Sequence, residues 1–287
     1  FFFSKDYPVD IRPSPIAGTW YSGDSRELAR QVDGFLSAGP EAERRGELVG
    51  VVVPHAGHRY SGAVAGQAFR LMRGLEPDIV AVVSPVHSPV PAPVVTSGHE
   101  AYQTPLGIVP IDTAAVRTLS AAWKKRTGEV LLPLRNDREH SLEIELPFLQ
   151  RVLGEFRLLP VMILDQQAST VEALGAALAE SLSGSKALLV GSSDLSHFYP
   201  EPTARGLDRE MMRRMETFDP AAVLQAEEDG AGFACGRAAV AAVMWAARAM
   251  GADCMTALAY ATSGDVTHDT SSVVGYGSAA IWRVAPV

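Results

Sequence analysis

The stretch Val51-Val52-Val53-Pro54-His55-Ala56-Gly57-His58-Arg59-Tyr60-Ser61-Gly62 constrains this chain more than any other. A β-branched apolar run stops at a proline, a histidine and a glycine. Small residues then recur through Phe69 at helical spacing, with Ser61 placed to cap them. The pattern predicts a buried strand over 48–53, a tight loop, and a helix over 62–74. In an open α/β sheet, ligands bind beyond the carboxyl ends of the strands, so His55 and His58 are expected at the rim of a sheet.

The next apolar run, Ile79 to Val83, leads into Ser84-Pro85-Val86-His87. Two strands with a helix between them form a βαβ unit with parallel strands. Each strand therefore delivers a histidine just past a proline at one end of the sheet. A hydrogen-bonded structural histidine is the alternative at either position, but the repetition points to a shared site. The run Ala187 to Gly191 repeats the theme by opening into Ser192-Ser193-Asp194-Leu195-Ser196-His197. A further strand is expected over 158–164, with helices over 26–37 (ended by Gly39-Pro40), 116–125, 170–181, 203–217, from 220, and 237–250. Strands over 255–262, 272–276 and 278–283 close the chain. No charge run or Ser/Gly linker divides it. The expected fold is one α/β domain over 1–287, a central mostly parallel or mixed sheet flanked by helices.

Three segments are less regular. Proline-rich Ser88 to Pro110 reads as a long loop or irregular hairpin bordering the rim. Glu139 to Leu153 reads as a helix kinked or restarted at Pro147, with His140 and Glu143 on one face; a solvated or capped helix start is the alternative. Cys235 follows a glycine-rich stretch at the start of the 237–250 helix, where free amides and the macrodipole favour a thiolate. A small buried cysteine is the competing reading there. Cys254 is assigned to packing, and His268 has no clear partner.

A formal charge of -8 and a pI near 5.4 argue against a nucleic-acid partner. No apolar run reaches membrane-span length, and the longest, Ala238 to Met250, is interrupted by Arg248. Phe1 to Lys5 is too short for a signal peptide, and the absence of a leading Met points to a trimmed start. Two cysteines supply no disulfide framework, so the expected location is the cytoplasm.

The chemistry-bearing residues at element ends are His55, His87, Asp194, His197 and Cys235, with His58 and His140 as weaker candidates. Two imidazoles and one anionic ligand leave open positions on a metal ion, as catalytic zinc and non-haem Fe(II) sites require. Zinc, Fe(II) and copper all suit such donors. Asp194 and His197 would then orient ligands or act as general acid and base. A metal-free arrangement makes Cys235 a nucleophile with His197 as base and Asp194 orienting it, which leaves His55 and His87 without a role.

Taken in order, Ala17-Gly18-Thr19-Trp20-Tyr21, Pro-His-Ala-Gly at 54–57, Tyr-Ser-Gly at 60–62, Thr-Pro-Leu-Gly at 104–107 and Glu-His-Ser-Leu-Glu at 139–143 form a pattern. Leu-Pro-Phe-Leu at 146–149, Ser-Ser-Asp-Leu-Ser-His at 192–197, Ala-Cys-Gly at 234–236 and Ser-Gly-Asp at 263–265 complete it. The whole resembles the Memo family, whose prokaryotic members are called AmmeMemoRadiSam system protein B. The resemblance implies a fold similar to the class III extradiol dioxygenases, which open catechol-type rings with non-haem iron. It puts a metal on His55, His87 and Cys235, and puts Asp194, His197 and His140 at the family's other motif positions. It also implies a small-molecule substrate, Fe(II) with copper or zinc as alternatives, and a radical SAM/AMMECR1-type partner system. The human relative is described as a signalling adaptor that binds phosphorylated receptor peptides. Three positions depart from the family: His58 replaces a tyrosine and adds a ligand or proton carrier, Ser84-Pro85-Val86 replaces Gly-Pro-Ser, and Asn136 stands where a histidine is expected. The expected function is a metal-dependent, non-haem iron oxidoreductase of dioxygenase type. The alternatives are a non-catalytic metal- or peptide-binding adaptor and a thiol or metal hydrolase.

Overall fold

The computed structural model describes residues 10–39 and 43–284; the Phe1 to Lys5 opening and Pro40 lie outside them. In chain order the elements are β1 (Ile11–Arg12), α1 (Ser25–Ser37), β2 (Glu47–Val53), α2 (His58–Phe69), β3 (Ile79–Pro85), β4 (Val94–Ser97), β5 (Ala101–Thr104) and β6 (Gly107–Pro110). There follow α3 (Thr113–Thr127), β7 (Leu132–Leu134), α4 (Leu146–Leu153), β8 (Arg157–Ile163), α5 (Ala168–Ser181), β9 (Ala187–Ser192) and β10 (His197–Tyr199). The last are α6 (Glu201–Glu216), α7 (Pro220–Glu228), α8 (Arg237–Ala249), β11 (Cys254–Thr262), α9 (Gly264–Thr267) and β12 (Val273–Arg283).

A mixed sheet runs β10-β12-β2-β9-β3-β8-β4-β7, with β11 paired to β12. The central strands β2, β9, β3 and β8 are parallel, and β12 and β4 flank them antiparallel. Residues of the central strands alternate between two covered faces. Ala81, Val83, Leu189 and Val161 meet α3, α5 and α8 on one side. Val80, Val82, Val190 and Leu158 meet α1, α2 and α4 on the other. Burial on both faces explains why these strands read as unbroken apolar runs. At the α5–α8 crossing a Cβ on Gly175 would come within 2.5 Å of Trp245 Cβ. Its absence lets the alanine-rich α8 lie close against α5.

The parallel β2 and β3 are separated by β9, whose register pairs Val53 with Ser192 on one side and Val83 with Gly191 on the other. Three parallel strands therefore end side by side, and the loops bearing His55, Asp194 and His87 leave one rim. This is the arrangement that the strand-end histidines predict.

Several local expectations are corrected. Helix α2 starts at His58 with Gly57 as its cap, so Ser61 is inside it and donates to Ala56 O at 2.9 Å. The 88–110 segment supplies β4 to the main sheet and a β5–β6 hairpin that pairs with β1. β12 is one continuous strand, because Gly277 pairs with Tyr260 without breaking the ladder. The helix expected from Glu139 begins only at Leu146, after a single 3-10 turn over Glu143–Glu145. Pro147 has no N–H to extend the helix backwards, and the Glu139 carboxylate occupies the amides of His140 and Ser141 at 2.9 and 3.0 Å. His140 and Glu143 consequently do not share a helical face.

Glu143 belongs to a buried polar cluster instead. Arg12 bonds it directly, holds Asp137 at 2.7 Å and donates to Glu139 O at 2.8 Å, while Tyr21 donates to Glu143 at 2.8 Å. The cluster bolts β1 and the Ala17–Tyr21 turn to the segment carrying Glu139 and His140. Arg12→Met is expected to cost about 3–5 kcal/mol, because it strands the buried Glu143 carboxylate and frees the partly buried Asp137. A denaturant midpoint matching the wild type would contradict this.

Candidate metal centre

His55 and His87 each leave the sheet two residues past a strand, and Cys235 arrives from the turn before α8. One ligand atom from each of the three lies within 4.8 Å of the other two. His55 Nε2 faces Cys235 Sγ at 3.2 Å, and the His55 and His87 rings meet edge to face at 5.3 Å. Close approach of two backbones makes this possible. A Cβ on Gly236 would overlap the Ser192 carbonyl and come within 2.8 Å of Ser193 Cβ. Gly236→Ala is expected to push Cys235 away from His55 and weaken metal binding at least tenfold by competition titration; undiminished affinity would contradict the close fit.

The opposite edge of each imidazole is occupied by the protein. His55 Nδ1 lies 2.9 Å from Ser192 Oγ. His87 Nδ1 lies 2.9 Å from Glu139 Oε1, and Glu139 Oε2 accepts the His87 backbone N–H at 2.6 Å. Carboxylate support of this kind fixes a metal-ligating ring and raises its basicity. Burial works against ionised Glu139, yet the hydrogen bonds from His87 and Ser141 outweigh it, and its pKa falls well below the usual carboxylate range. Burial also lowers His87, and the bond and charge of Glu139 more than offset it.

His87, Glu139 and His140 form a second group of converging donors. The Glu139 oxygens, however, already accept from His87 Nδ1, His87 N, His140 N and Ser141 N. Glu139 is therefore a support for His87 rather than a free ligand. His140 stacks between His87, at 4.7 Å, and Trp20, at 4.0 Å. Burial drives its pKa down to about 4, so it is a neutral imidazole at neutral pH. The solvated helix start offered as an alternative for His140 is not what forms.

Asp194 is buried and accepts the backbone N–H of His55 at 2.8 Å, so it pins the His55 loop. Burial raises its pKa to about 7, with the His55 and Ala56 amides opposing. His197 stands to one side with its ring between Phe198 and Phe233, at 5.6 and 5.7 Å. The metal-free triad is not assembled: Cys235 Sγ meets His55, and Asp194 spends its carboxylate on backbone amides. The expected thiolate is also corrected. Cys235 does precede α8, but burial and the Asp194 carboxyl push its thiol up rather than down.

His58 is outside the cluster. Its ring lies against Phe148 at 4.9 Å, Tyr21 at 5.4 Å and Phe35 at 6.3 Å, and Nε2–H donates to Ile144 O at 3.0 Å. Asn136 adopts a positive φ of 55° and donates its N–H to His99 Nε2, so it belongs to the wall behind Arg135 and Asp10. Glu139 and Ser192 are supports that sequence reasoning did not assign. Their only signal is their place inside the Glu-His-Ser and Ser-Ser-Asp motifs. A cavity of about 780 Å³ opens at the other rim of the sheet, around Leu48, Glu76 and Lys186, away from these histidines.

A model of Memo-like proteins matches residues 12–280. The chain belongs to the Memo family. A MEMO1 family protein of Methanopyrus kandleri is 34% identical over 283 residues, covering 93% of this chain and 97% of the relative. Those of Thermotoga maritima and Nitrosopumilus maritimus are 32% and 31% identical, over 94% and 93% of this chain and 99% and 98% of theirs. Among the described residues, no helix of this Memo protein is long and apolar enough to cross a membrane.

Burial holds the His58 pKa at about 4, below the 6.5 of an ordinary imidazole. The unfolded chain therefore binds its proton first, and stability is lost as pH falls from 6.5 towards 4. This residue contributes about 3 kcal/mol to that loss. His58→Phe is expected to flatten the acid limb of a stability–pH profile, with His140 retaining part of the slope. An unchanged limb would contradict the assignment.

Proposed function

We propose that this Memo protein is a metal-dependent oxidoreductase of dioxygenase type acting on a small molecule, with Fe(II) held by His55, His87 and Cys235. One observation carries the reading: His55 Nε2, the His87 ring and Cys235 Sγ converge, while partners on both Nδ1 atoms aim the rings. Two imidazoles and one thiol suit iron, copper and zinc, and three protein ligands leave positions for substrate. When bound, the ion supplies Lewis-acid and redox chemistry at those open positions.

The residues of the chain supply the rest. The Glu139 carboxylate holds His87 and keeps its ring basic. Asp194 keeps the His55 loop in place through its backbone. His140, neutral and held by Trp20 and His87, would offer a ring nitrogen to a substrate hydroxyl as hydrogen-bond acceptor and, once that hydroxyl is acidified, as proton acceptor. Cys235 must give up its proton when the ion arrives. His55, whose pKa burial and its neighbours lower, is already neutral.

Near-stoichiometric iron is expected after anaerobic purification, and it is expected to disappear in His55→Ala and Cys235→Ser with circular dichroism unchanged. His140→Ala is expected to keep the iron and to slow dioxygen uptake on catechol-type substrates about 10²–10⁴-fold. Iron, copper and zinc all failing to bind would remove the metal reading. A bound metal with no turnover on any substrate would favour the adaptor.

Because Cys235 enters as a thiol, metal affinity is expected to rise with pH, about tenfold per unit for each proton released. Calorimetry in buffers of different ionisation enthalpy counts that proton. A count unaltered by Cys235→Ser would contradict thiolate ligation.

A further inference from the structure

Behind His55, on the side away from Cys235, three groups surround Ser192 Oγ: Ser141 O at 2.7 Å, His55 Nδ1 at 2.9 Å and Glu145 Oε1 at 3.0 Å. A hydroxyl has one hydrogen and two lone pairs. The Ser141 carbonyl can only accept, so it takes the single Ser192 hydrogen. The other two neighbours must then bring hydrogens of their own, one from His55 Nδ1 and one from the Glu145 carboxyl. An ionised Glu145 would instead set a negative oxygen against a lone pair or pull the hydrogen off Ser141 O.

The surroundings of Glu145 agree with that count. It is 1% exposed, no arginine, lysine or histidine among the described residues bonds to it, and the Asp194 carboxyl is the charged group acting on it. Burial, reinforced by Asp194, pushes its pKa well above the carboxylate range against the Ser192 bond. Glu143, two residues earlier on the same turn, has Arg12 beside it. Among the described residues Glu145 has no such counter-ion.

We propose that Ser192 and Glu145 are a positioning pair for His55: Glu145, carried as an un-ionised carboxylic acid, donates to Ser192 Oγ, so that Oγ accepts the His55 Nδ1–H and leaves Nε2 open toward Cys235. The pair gives His55 a neutral backing where Glu139 gives His87 a charged one. The two imidazoles are thereby made unequal donors. The inference rests on His55 being a ligand, but the tautomer it assigns is a property of the metal-free protein as well.

Two spectra test it without turnover. Infrared difference between wild type and Glu145→Gln at neutral pH is expected to show the carbonyl stretch of a buried carboxylic acid in the wild type alone. Long-range ¹H–¹⁵N spectra of histidine-labelled, metal-stripped protein, with the His55 signal identified by its loss in His55→Ala, are expected to show the Nδ1–H tautomer. Glu145→Gln is expected to keep that tautomer, because its amide N–H replaces the carboxyl O–H as donor. Ser192→Ala is expected to mix the tautomers and weaken zinc binding about 10–100-fold in a chelator competition. The absence of an acid band from the difference spectrum, or an Nε2–H tautomer in the wild type, would overturn the pair. So would equal zinc affinity in wild type and Ser192→Ala. If the wild type binds no zinc but His55 still carries its proton on Nδ1, the pair stands and the metal reading falls.

Discussion

The site depends on β9 lying between β2 and β3. Parallel strands in register must finish at a common rim, so Val52, Gly191 and Val83 align and the three loops beyond them are forced together. β9 and the loop that leaves it also contribute groups to both sides of the His55 loop. Ser192 reaches the ring edge and Asp194 reaches the backbone amide. Moving β9 to the sheet edge would leave two histidines a strand's width apart with nothing to aim them.

Bringing such groups together in the interior carries an electrostatic cost, and the protein divides it unevenly. Glu139 stays ionised because four N–H donors converge on it. Glu143 is met by Arg12, Ser14 and Tyr21. Cys235 meets His55 Nε2 and the Asp194 carbonyl, with no positive group among the described residues to hold it as a thiolate, and burial keeps its thiol up. The supports on His55 Nδ1 and His87 Nδ1 leave the far edges of both rings turned toward Cys235, the arrangement on which the proposed cation site rests.

Much of this was legible in the chain. The central strands could be placed because burial on both faces writes them as unbroken apolar runs, and the strand-end positions of His55, His87 and Asp194 followed. What escaped is non-local. The partner that supports His87 is Glu139, 52 residues away, and nothing in the spacing says that its carboxylate turns back to the β3 loop. The start of α8 was close to its expected place, yet burial overrides the helix-end effect on Cys235. His58 sits in a motif beside the site, but aromatic rings from α1 and α4 enclose it. Local pattern assigned its position and tertiary packing assigned its role.

The central claim is that one metal ion is held by two imidazoles and the Cys235 sulfur. X-ray absorption at the iron edge of the Fe(II)-loaded protein tests it directly. The account requires one sulfur and two imidazole nitrogens among the nearest scatterers, with the sulfur absent from Cys235→Ser. A shell made only of oxygen and nitrogen in the wild type would contradict it.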